Sequence, residues 1–232
     1  MDYTELMDEL ATAFQSARLH YTRVSSLDEG VRSFMPQIVQ DPVIQAFSSS
    51  QMLRPKGRRD CDSTIDWATS SLLGVAICLR PQEKSQDDEE GDAKSKDGKA
   101  SQRPSDRLVD KENGKVIGVM CINYPNNSTT ATHHRNAEIG INLGTAYQGQ
   151  GYGREALNWM LDWGFKHAGL HTISIIAASY NPRAVHLYKS IGFVEEGRRR
   201  ETIWQNRKWY DLVEFGMTEN DWEKLRAAPV LN

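Results

Sequence analysis

Apolar positions recur along the chain at two spacings, and the changes between them mark out the elements. Leu6, Leu10 and Phe14 fall at helical spacing and predict a short amphipathic helix over Met1 to Ala17. Leu19 to Val24 reads as a first strand. Val31, Phe34, Ile38, Val39 and Ile44 set a helical pattern over Leu27 to Phe47. Pro42 breaks that pattern, because it lacks an N–H and clashes with the preceding turn, so two short helices are expected. Ile65 to Ser70 reads as a helical turn leading into a strand over Leu72 to Leu79.

The pattern then stops. From Pro81 to Arg107 nearly every residue is charged, small or polar, and Ala93 and Ala100 are the only apolar side chains. Such a segment cannot bury enough apolar surface to offset its ordering entropy. It predicts a disordered insertion, about residues 81–110, between the second and third strands of a single domain over residues 1–232. A long connection of this kind is tolerated because loop-closure cost rises slowly with length. A plain solvated loop and a partner-binding segment both fit it.

Beyond the insertion, Val116 to Tyr124 and Ala137 to Leu143 are strands. Gly151 to Ala168 is an amphipathic helix stopped by Gly169. Thr172 to Ser179 has the β-branched character of a fully buried strand. Asn181 caps the next helix, with Pro182 at its first position and Gly192 at its end. Phe193 to Ile203 and Lys208 to Met217 are antiparallel strands turning at Gln205-Asn206. Glu219 to Ala228 closes the pattern as a short helix. The order is mixed α/β around one sheet.

The strongest local signal is Gln148-Gly149-Gln150-Gly151-Tyr152-Gly153-Arg154, between a strand and a helix. Glycines let backbone N–H groups approach an anion, and the helix start adds unsatisfied donors and its positive dipole end. A phosphate or diphosphate is the natural ligand; a tight turn serving packing alone is the competing reading. No Lys-Ser or Lys-Thr follows a suitable glycine, which excludes a Walker loop. Arg154 occupies the third-glycine position of a dinucleotide fingerprint, and Ala178-Ser179-Tyr180 offers no acid after the next strand.

Composition narrows the partners. Twenty-eight Lys and Arg against 31 Asp and Glu give a net charge of −3, which argues against a nucleic-acid partner. No apolar run approaches the roughly 18 residues that span a bilayer, so no membrane association is expected. The acidic start (Asp2, Glu5, Asp8, Glu9) is unlike a signal peptide. Cys61, Cys78 and Cys121 lack C-x-x-C spacing, which suits reduced thiols inside a cell. A cytoplasmic setting is expected, a nuclear one remaining open through the basic cluster Arg54, Lys56, Arg58 and Arg59.

Gln148-x-x-Gly151-x-Gly153 resembles the diphosphate-binding signature of the GNAT superfamily of N-acetyltransferases. Asn181-x-x-Ala184-x-x-Leu187-Tyr188-x-x-x-Gly192-Phe193 resembles its second cofactor motif. Ala137-Glu138-Ile139-Gly140-Ile141 and Gly114-Lys115-Val116-Ile117-Gly118 resemble its preceding strands. The likeness runs from about Gly114 to Trp222. It is nearest the branch containing ribosomal-protein alanine and spermidine acetyltransferases. It implies a GNAT fold: a single mixed, mostly antiparallel sheet, flanked by helices and splayed between its fourth and fifth strands. It implies acetyl-CoA as co-substrate. Backbone groups of Ile141, Asn142 and Leu143 would pair with the pantetheine arm. The Leu143 N–H would hold the oxyanion. N–H groups of Gln148, Gly149, Gln150, Gly151, Tyr152, Gly153 and Arg154 would cradle the diphosphate, and Asn181 would bond the pantetheine arm.

Within that likeness Tyr188 is the candidate acid, a phenol able to protonate a leaving thiolate and to touch the cofactor. The other reading is a packed aromatic. Glu138 is the first candidate base, with His134, Asp211 and Glu214 behind it. No metal is expected, since the adjacent His133 and His134 have no third ligand at a useful spacing. The acceptor stays open between a small amine or polyamine (Asp60, Asp62, Asp66 and Glu138 as carboxylates) and a peptide N-terminus (Phe34, Trp67 and Tyr124 as walls). A homodimer is a candidate assembly. A non-catalytic acyl-CoA-binding sensor on the same fold is the alternative to an enzyme.

Overall fold

The computed structural model describes residues 2–80, 109–110, 114–125 and 129–227. The insertion predicted over about residues 81–110 lies outside the described residues, apart from the pair 109–110. Helix α1 (Tyr3–Ala11) is followed by β1 (Leu19–Arg23), α2 (Glu29–Val39), α3 (Pro42–Ser48) and α4 (Arg58–Thr69). Then come β2 (Leu73–Leu79), the two-residue β3 (Val109–Asp110), β4 (Gly114–Asn123) and β5 (Asn136–Leu143). The chain continues through α5 (Tyr152–Lys166), β6 (Thr172–Ala178), α6 (Pro182–Ile191), β7 (Val194–Gln205), β8 (Lys208–Thr218) and α7 (Glu219–Ala227).

Among the described residues the strands form one sheet in the order β1-β2-β4-β5-β6-β8-β7, with β3 paired to the start of β4. Every pairing is antiparallel except β5 with β6. That parallel contact covers only Asn136↔Thr172, Ala137↔Ile173 and Glu138↔Ser174, after which the two strands part. The expected mixed, mostly antiparallel sheet, splayed between these strands and flanked by helices, is therefore present. One core, containing Ile117, Met120, Leu157, Met160, Ile173 and Phe215, lies under α5 and α6. A second, containing Val31, Phe34, Met35, Ile38, Ile65 and Val119, lies under α2 and α4 on the other face.

Local chemistry explains most boundaries. Asp41 caps α3, accepting from Val43 N at 2.7 Å and Ile44 N at 3.2 Å, and Pro42 opens the helix as expected. Asn181 Oδ1 accepts from Ala184 N at 3.2 Å, with Pro182 behind it. Four expectations need correction. The first helix ends at Ala11, with Leu6, Leu10 and the non-helical Phe14 exposed; Lys166–Glu9 (2.7 Å) and Trp159 Nε1 to Ala13 O (2.9 Å) hold it instead of a buried face. The helical turn over Ile65 to Ser70 is the end of a full helix, α4, so Arg58 and Arg59 are helical rather than in a loop. Only Cys61, Ile65 and Ala68 of α4 are buried, too thin a stripe to read among its polar residues. β6 is not buried throughout: Ile176 is exposed where β5 has left its side. The last hairpin turns at Asn206-Arg207, both at positive φ (45° and 62°), as a primed two-residue turn requires.

Gly118 sets how closely β4 meets β5. A β-carbon there would lie 2.5 Å from Leu143 Cδ2 and 2.6 Å from Asn142 O. Gly118→Ala is expected to cost about 2 kcal/mol, as overpacking does, and to lower the thermal midpoint by roughly 5 °C. Gly57→Ala, with nothing within 4 Å of the added carbon but at the N-cap of α4, should cost less, about 1 kcal/mol or below. Thermal unfolding followed by circular dichroism compares the two.

Candidate active site

The end of the β5–β6 pairing makes a wedge-shaped gap. From Gly140 to Leu143, β5 pairs with β4 on one side and, among the described residues, with no strand on the other. A strand edge of this kind presents unpaired N–H and C=O groups to whatever enters. Helix α3 touches both β5 and β6 and so crosses the gap. It is fixed there by Tyr180 Oη donating to Ala46 O (2.5 Å), by the Phe47–Tyr180 ring pair (5.7 Å) and by Thr145 Oγ1 donating to Asp41 Oδ2 (2.8 Å).

At the wide end of the gap sits the glycine turn. Gly149 and Gly151 adopt φ of 77° and 86°, a region that favours glycine. Gln148 Nε2 donates to Leu143 O at 3.1 Å, tying the turn to the end of β5. Gln150 Nε2 donates to Ala146 O at 2.7 Å. Gly153 lets three elements meet: a β-carbon on it would be 3.6 Å from Leu143 Cδ1 and 3.7 Å from Leu187 Cδ2. The first α5 bond runs from Glu155 N to Gly151 O at 3.1 Å, so the N–H groups of Tyr152, Gly153 and Arg154 are the helix's orphan donors. The Arg154 side chain turns away from them, donating to Ser190 O (3.1 Å) and Ser190 Oγ (2.6 Å). Two positive-φ glycines and three orphan N–H groups at a helix start fit a diphosphate.

Tyr188, on α6, is 7% exposed and packs edge-on to Phe215 at 5.7 Å and tilted to Phe193 at 6.1 Å. Burial pushes its pKa up to about 12. Its hydroxyl makes no hydrogen bond among the described residues. Asn181 carries out its capping role at the start of the same helix.

Glu138 stands opposite Asn123 on β4 and Ser174 on β6, while Ile176 stands opposite Glu214 on β8. Alternate residues of a strand share a face, so Glu138, Ser174, Ile176 and Glu214 form one surface. Gly140 belongs to it, and Trp67 of α4 packs over that glycine at 3.6 Å from the place a β-carbon would take. Glu138 is exposed to solvent along its side chain, yet desolvation of its carboxyl raises its pKa; Arg199 works against this and Glu214 adds to it. The other candidate bases are differently placed. Asp211 accepts from Glu201 N (3.0 Å) and pairs with Arg198 (3.2 Å), and these hold it below the usual carboxylate range. Glu214 pairs with Arg199 at 2.8 Å. His134 is on an exposed turn with its ring 3.9 Å from that of His133.

The acceptor candidates divide. Asp60 is taken up by the start of α4, accepting from Gly57 N (2.9 Å) and pairing with Arg54. Phe34 is core, its ring against Gly144. Trp67, 42% exposed, is the available wall. Asp62 lines a separate cavity of about 310 Å³ between α2 and α4, with Arg32, Pro36, Gln40, Arg58, Cys61 and Ile65. That cavity is lined by no residue of the glycine turn or of the strand edge Gly140 to Leu143. Sequence reasoning passed over Arg18 and Arg183. They reach the turn from a loop and from α6, and no local pattern marks them.

The chain's residues 72–193, more than half of it, match the acetyltransferase (GNAT) family model. The chain belongs to that family. Spermidine N(1)-acetyltransferase of Vibrio cholerae is 42% identical over 79 residues, covering 34% of this chain and 46% of that protein. Spermidine N(1)-acetyltransferase of Escherichia coli K12 is 27% identical over 96 residues, 41% of this chain and 52% of that one. The chain thus spans about half the length of the curated relatives it matches. The fold agrees over a longer stretch. The crystal structure of spermidine N-acetyltransferase from Vibrio cholerae in complex with CoA and spermine superposes with a TM-score of 0.64 at 20% identity, covering 90% of this chain and 99% of that one. Among the described residues no helix is long and apolar enough to cross a membrane.

The raised pKa of Glu138 has a consequence for stability. Its folded form holds the proton more tightly than the unfolded chain does, so the ionised carboxylate costs stability above the folded pKa. The cost disappears as pH falls below the unfolded value of 4.5. Glu138→Gln is therefore expected to raise the thermal midpoint at pH 8 and to leave it unchanged near pH 4. Melting at both pH values checks this; a lower midpoint at pH 8 would mean that Arg199 outweighs desolvation.

Proposed function

We propose that the protein is an acetyl-CoA-dependent N-acetyltransferase that moves an acetyl group to a primary amine by direct attack in a ternary complex. The observation that carries this is the juxtaposition of a free strand edge, Gly140 to Leu143, with a glycine turn opening a helix. The turn suits a diphosphate, and the edge suits an extended amide-bearing arm leading inward from it. Acetyl-CoA supplies the thioester that makes the acetyl group transferable.

The backbone of Ile141, Asn142 and Leu143 pairs with the pantetheine arm, and the N–H groups from Gln148 to Arg154 hold the diphosphate. Asn181 bonds the arm beside its capping role. The Leu143 N–H polarises the thioester carbonyl. Glu138 takes a proton from the acceptor ammonium, directly or through water, and its raised pKa brings it closer to that task. The amine nitrogen then bonds to the acetyl carbon, the carbon–sulfur bond breaks, and nitrogen gives up a second proton as the thiolate gains one. Tyr188 donates its O–H to the sulfur as charge develops there. At a pKa of about 12 it is protonated throughout the working range. Full transfer from a phenol of that pKa to an ordinary alkyl thiolate is uphill, so Tyr188 keeps its proton and acts as a hydrogen-bond donor to the sulfur; the thiolate is protonated from solvent, and the nitrogen's second proton is released to solvent.

The acceptor belongs on the face formed by Glu138, Ser174, Ile176 and Glu214, beside Trp67. Those carboxylates suit a cationic amine. The names of the relatives point the same way, toward a small amine or polyamine, with a peptide N-terminus as the second class to test.

Free-thiol release from acetyl-CoA, with spermidine, an aminoglycoside and peptides beginning with Ala, Ser or Met as acceptors, tests the reading. Tyr188→Phe should lower kcat about 100-fold, the scale of a lost hydrogen-bond donor to a developing anion, while acetyl-CoA affinity stays within about twofold. Gly151→Trp should abolish acetyl-CoA binding. Binding without turnover on any acceptor would identify a non-catalytic acyl-CoA sensor instead.

A further inference from the structure

The glycine turn is gripped from outside the cofactor motifs. Arg18 lies in the loop between α1 and β1, 132 residues before Gln150, and its Nη1 donates to the Gln150 carbonyl at 3.0 Å. Its guanidinium carbon sits 4.5 Å above the Tyr152 ring. Its backbone N–H donates to Glu155 Oε1 at 2.6 Å and its Nε to Glu155 Oε2 at 2.8 Å. Ser16 Oγ adds a third bond to the same carboxylate at 2.8 Å. The remaining nitrogen, Nη2, takes part in none of these. It lies 3.1 Å from the point where a β-carbon on Gly151 would stand. At the other positive-φ glycine of the turn, Arg183 Nη2 lies 3.5 Å from the corresponding point on Gly149. Arg183 makes no hydrogen bond or ion pair among the described residues.

Glu155 explains why this arrangement is needed. It is in the first turn of α5, where an acid ordinarily gains from the helix dipole. Here the same helix start has to receive an anion, and an unpaired carboxylate would repel it. Glu155 is also mostly buried, its side chain 14% exposed. Burial alone would favour the protonated acid. The Arg18 N–H, the Ser16 hydroxyl and the Arg18 guanidinium outweigh that and hold its pKa below the usual range. The charge therefore persists, and Arg18 is the cation that pairs with it among the described residues.

We propose that Arg18 is a positioning residue for the cofactor diphosphate: it neutralises Glu155 and holds its free Nη2 at Gly151 of the turn, with Arg183 as the second cation at Gly149. The inference rests on the reading of the turn as a diphosphate site. Two cations flanking three orphan N–H groups match a ligand with two adjacent negative phosphates rather than one carboxylate. Arg18 touches no reacting atom, so its effect falls on cofactor affinity and not on the acetyl-transfer step.

The test is CoA affinity by calorimetry, together with KM for acetyl-CoA and kcat, in Arg18→Ala, Arg18→Lys and the double variant Arg18→Ala/Glu155→Gln. Arg18→Ala should weaken CoA and raise KM about tenfold, the scale of a lost charge-assisted contact, with kcat at saturation within about twofold. Arg18→Lys should fall between it and wild type. Removing the stranded charge in the double variant should recover about threefold of the lost affinity. A purely structural tether predicts the reverse, a double variant no better than Arg18→Ala; that result, or an Arg18→Ala protein binding CoA like wild type, overturns the proposal. If Arg18→Ala does not fold, Glu155→Gln alone decides. It should bind CoA about two- to threefold more tightly, and unchanged or weaker binding counts against the inference. Wild-type protein that binds no CoA would instead overturn the underlying reading of the turn.

Discussion

The parallel contact between β5 and β6 lasts for three residue pairs, and the rest of the molecule is arranged around its end. Up to Glu138 and Ser174 the sheet is continuous, and the strands share the core under α5. Beyond them β5 stays with β4 while β6 stays with β8. Each strand keeps one full ladder of hydrogen bonds and gives up the other. An open strand edge inside a sheet is costly unless something satisfies it. In this chain the edge faces a gap bounded by α3, by the start of α5 and by α6, so ligand and solvent are its available partners.

Several close approaches keep that gap in shape. Gly118 lets β4 press against Leu143 and Asn142, and Gly153 lets the start of α5 meet Leu143 and Leu187. Gln148 bonds back to the Leu143 carbonyl. The end of the free edge and the beginning of the anion turn are therefore one rigid corner. On the opposite side, Tyr180 and Asp41 fasten α3 across the opening. Acceptor and cofactor would then approach from different faces, an arrangement that leaves the thioester carbonyl open to direct attack in a ternary complex.

The two groups assigned to proton handling have environments that differ in kind. Tyr188 packs against the rings of Phe193 and Phe215, its hydroxyl makes no hydrogen bond among the described residues, and burial keeps it neutral. Glu138 lies on an open, charged surface where desolvation and Glu214 raise its pKa and Arg199 lowers it. One is held neutral by burial; the other is a carboxylate whose proton affinity is set by its charged neighbours as well as by desolvation. Their placement on opposite sides of the gap follows from the parting of the strands.

The sequence by itself determined the parts of this protein that depend on near neighbours. The cap at Asn181, the break at Pro42, the glycine turn that opens a helix at 151, and most of the order of strands and helices arise within a few residues, and these were legible. So was the family, because its motifs are local turns and helix starts. The thin apolar stripe of α4 and the exposed face of α1 were not, since burial depends on what packs opposite. Nor was the surface shared by Glu138 and Glu214, which depends on register across three strands. The link from Arg18 to Glu155 spans 137 residues and exists only after the chain has closed on itself. Local stereochemistry is written residue by residue, whereas the charge balance of a site is a sum over everything the fold brings near it.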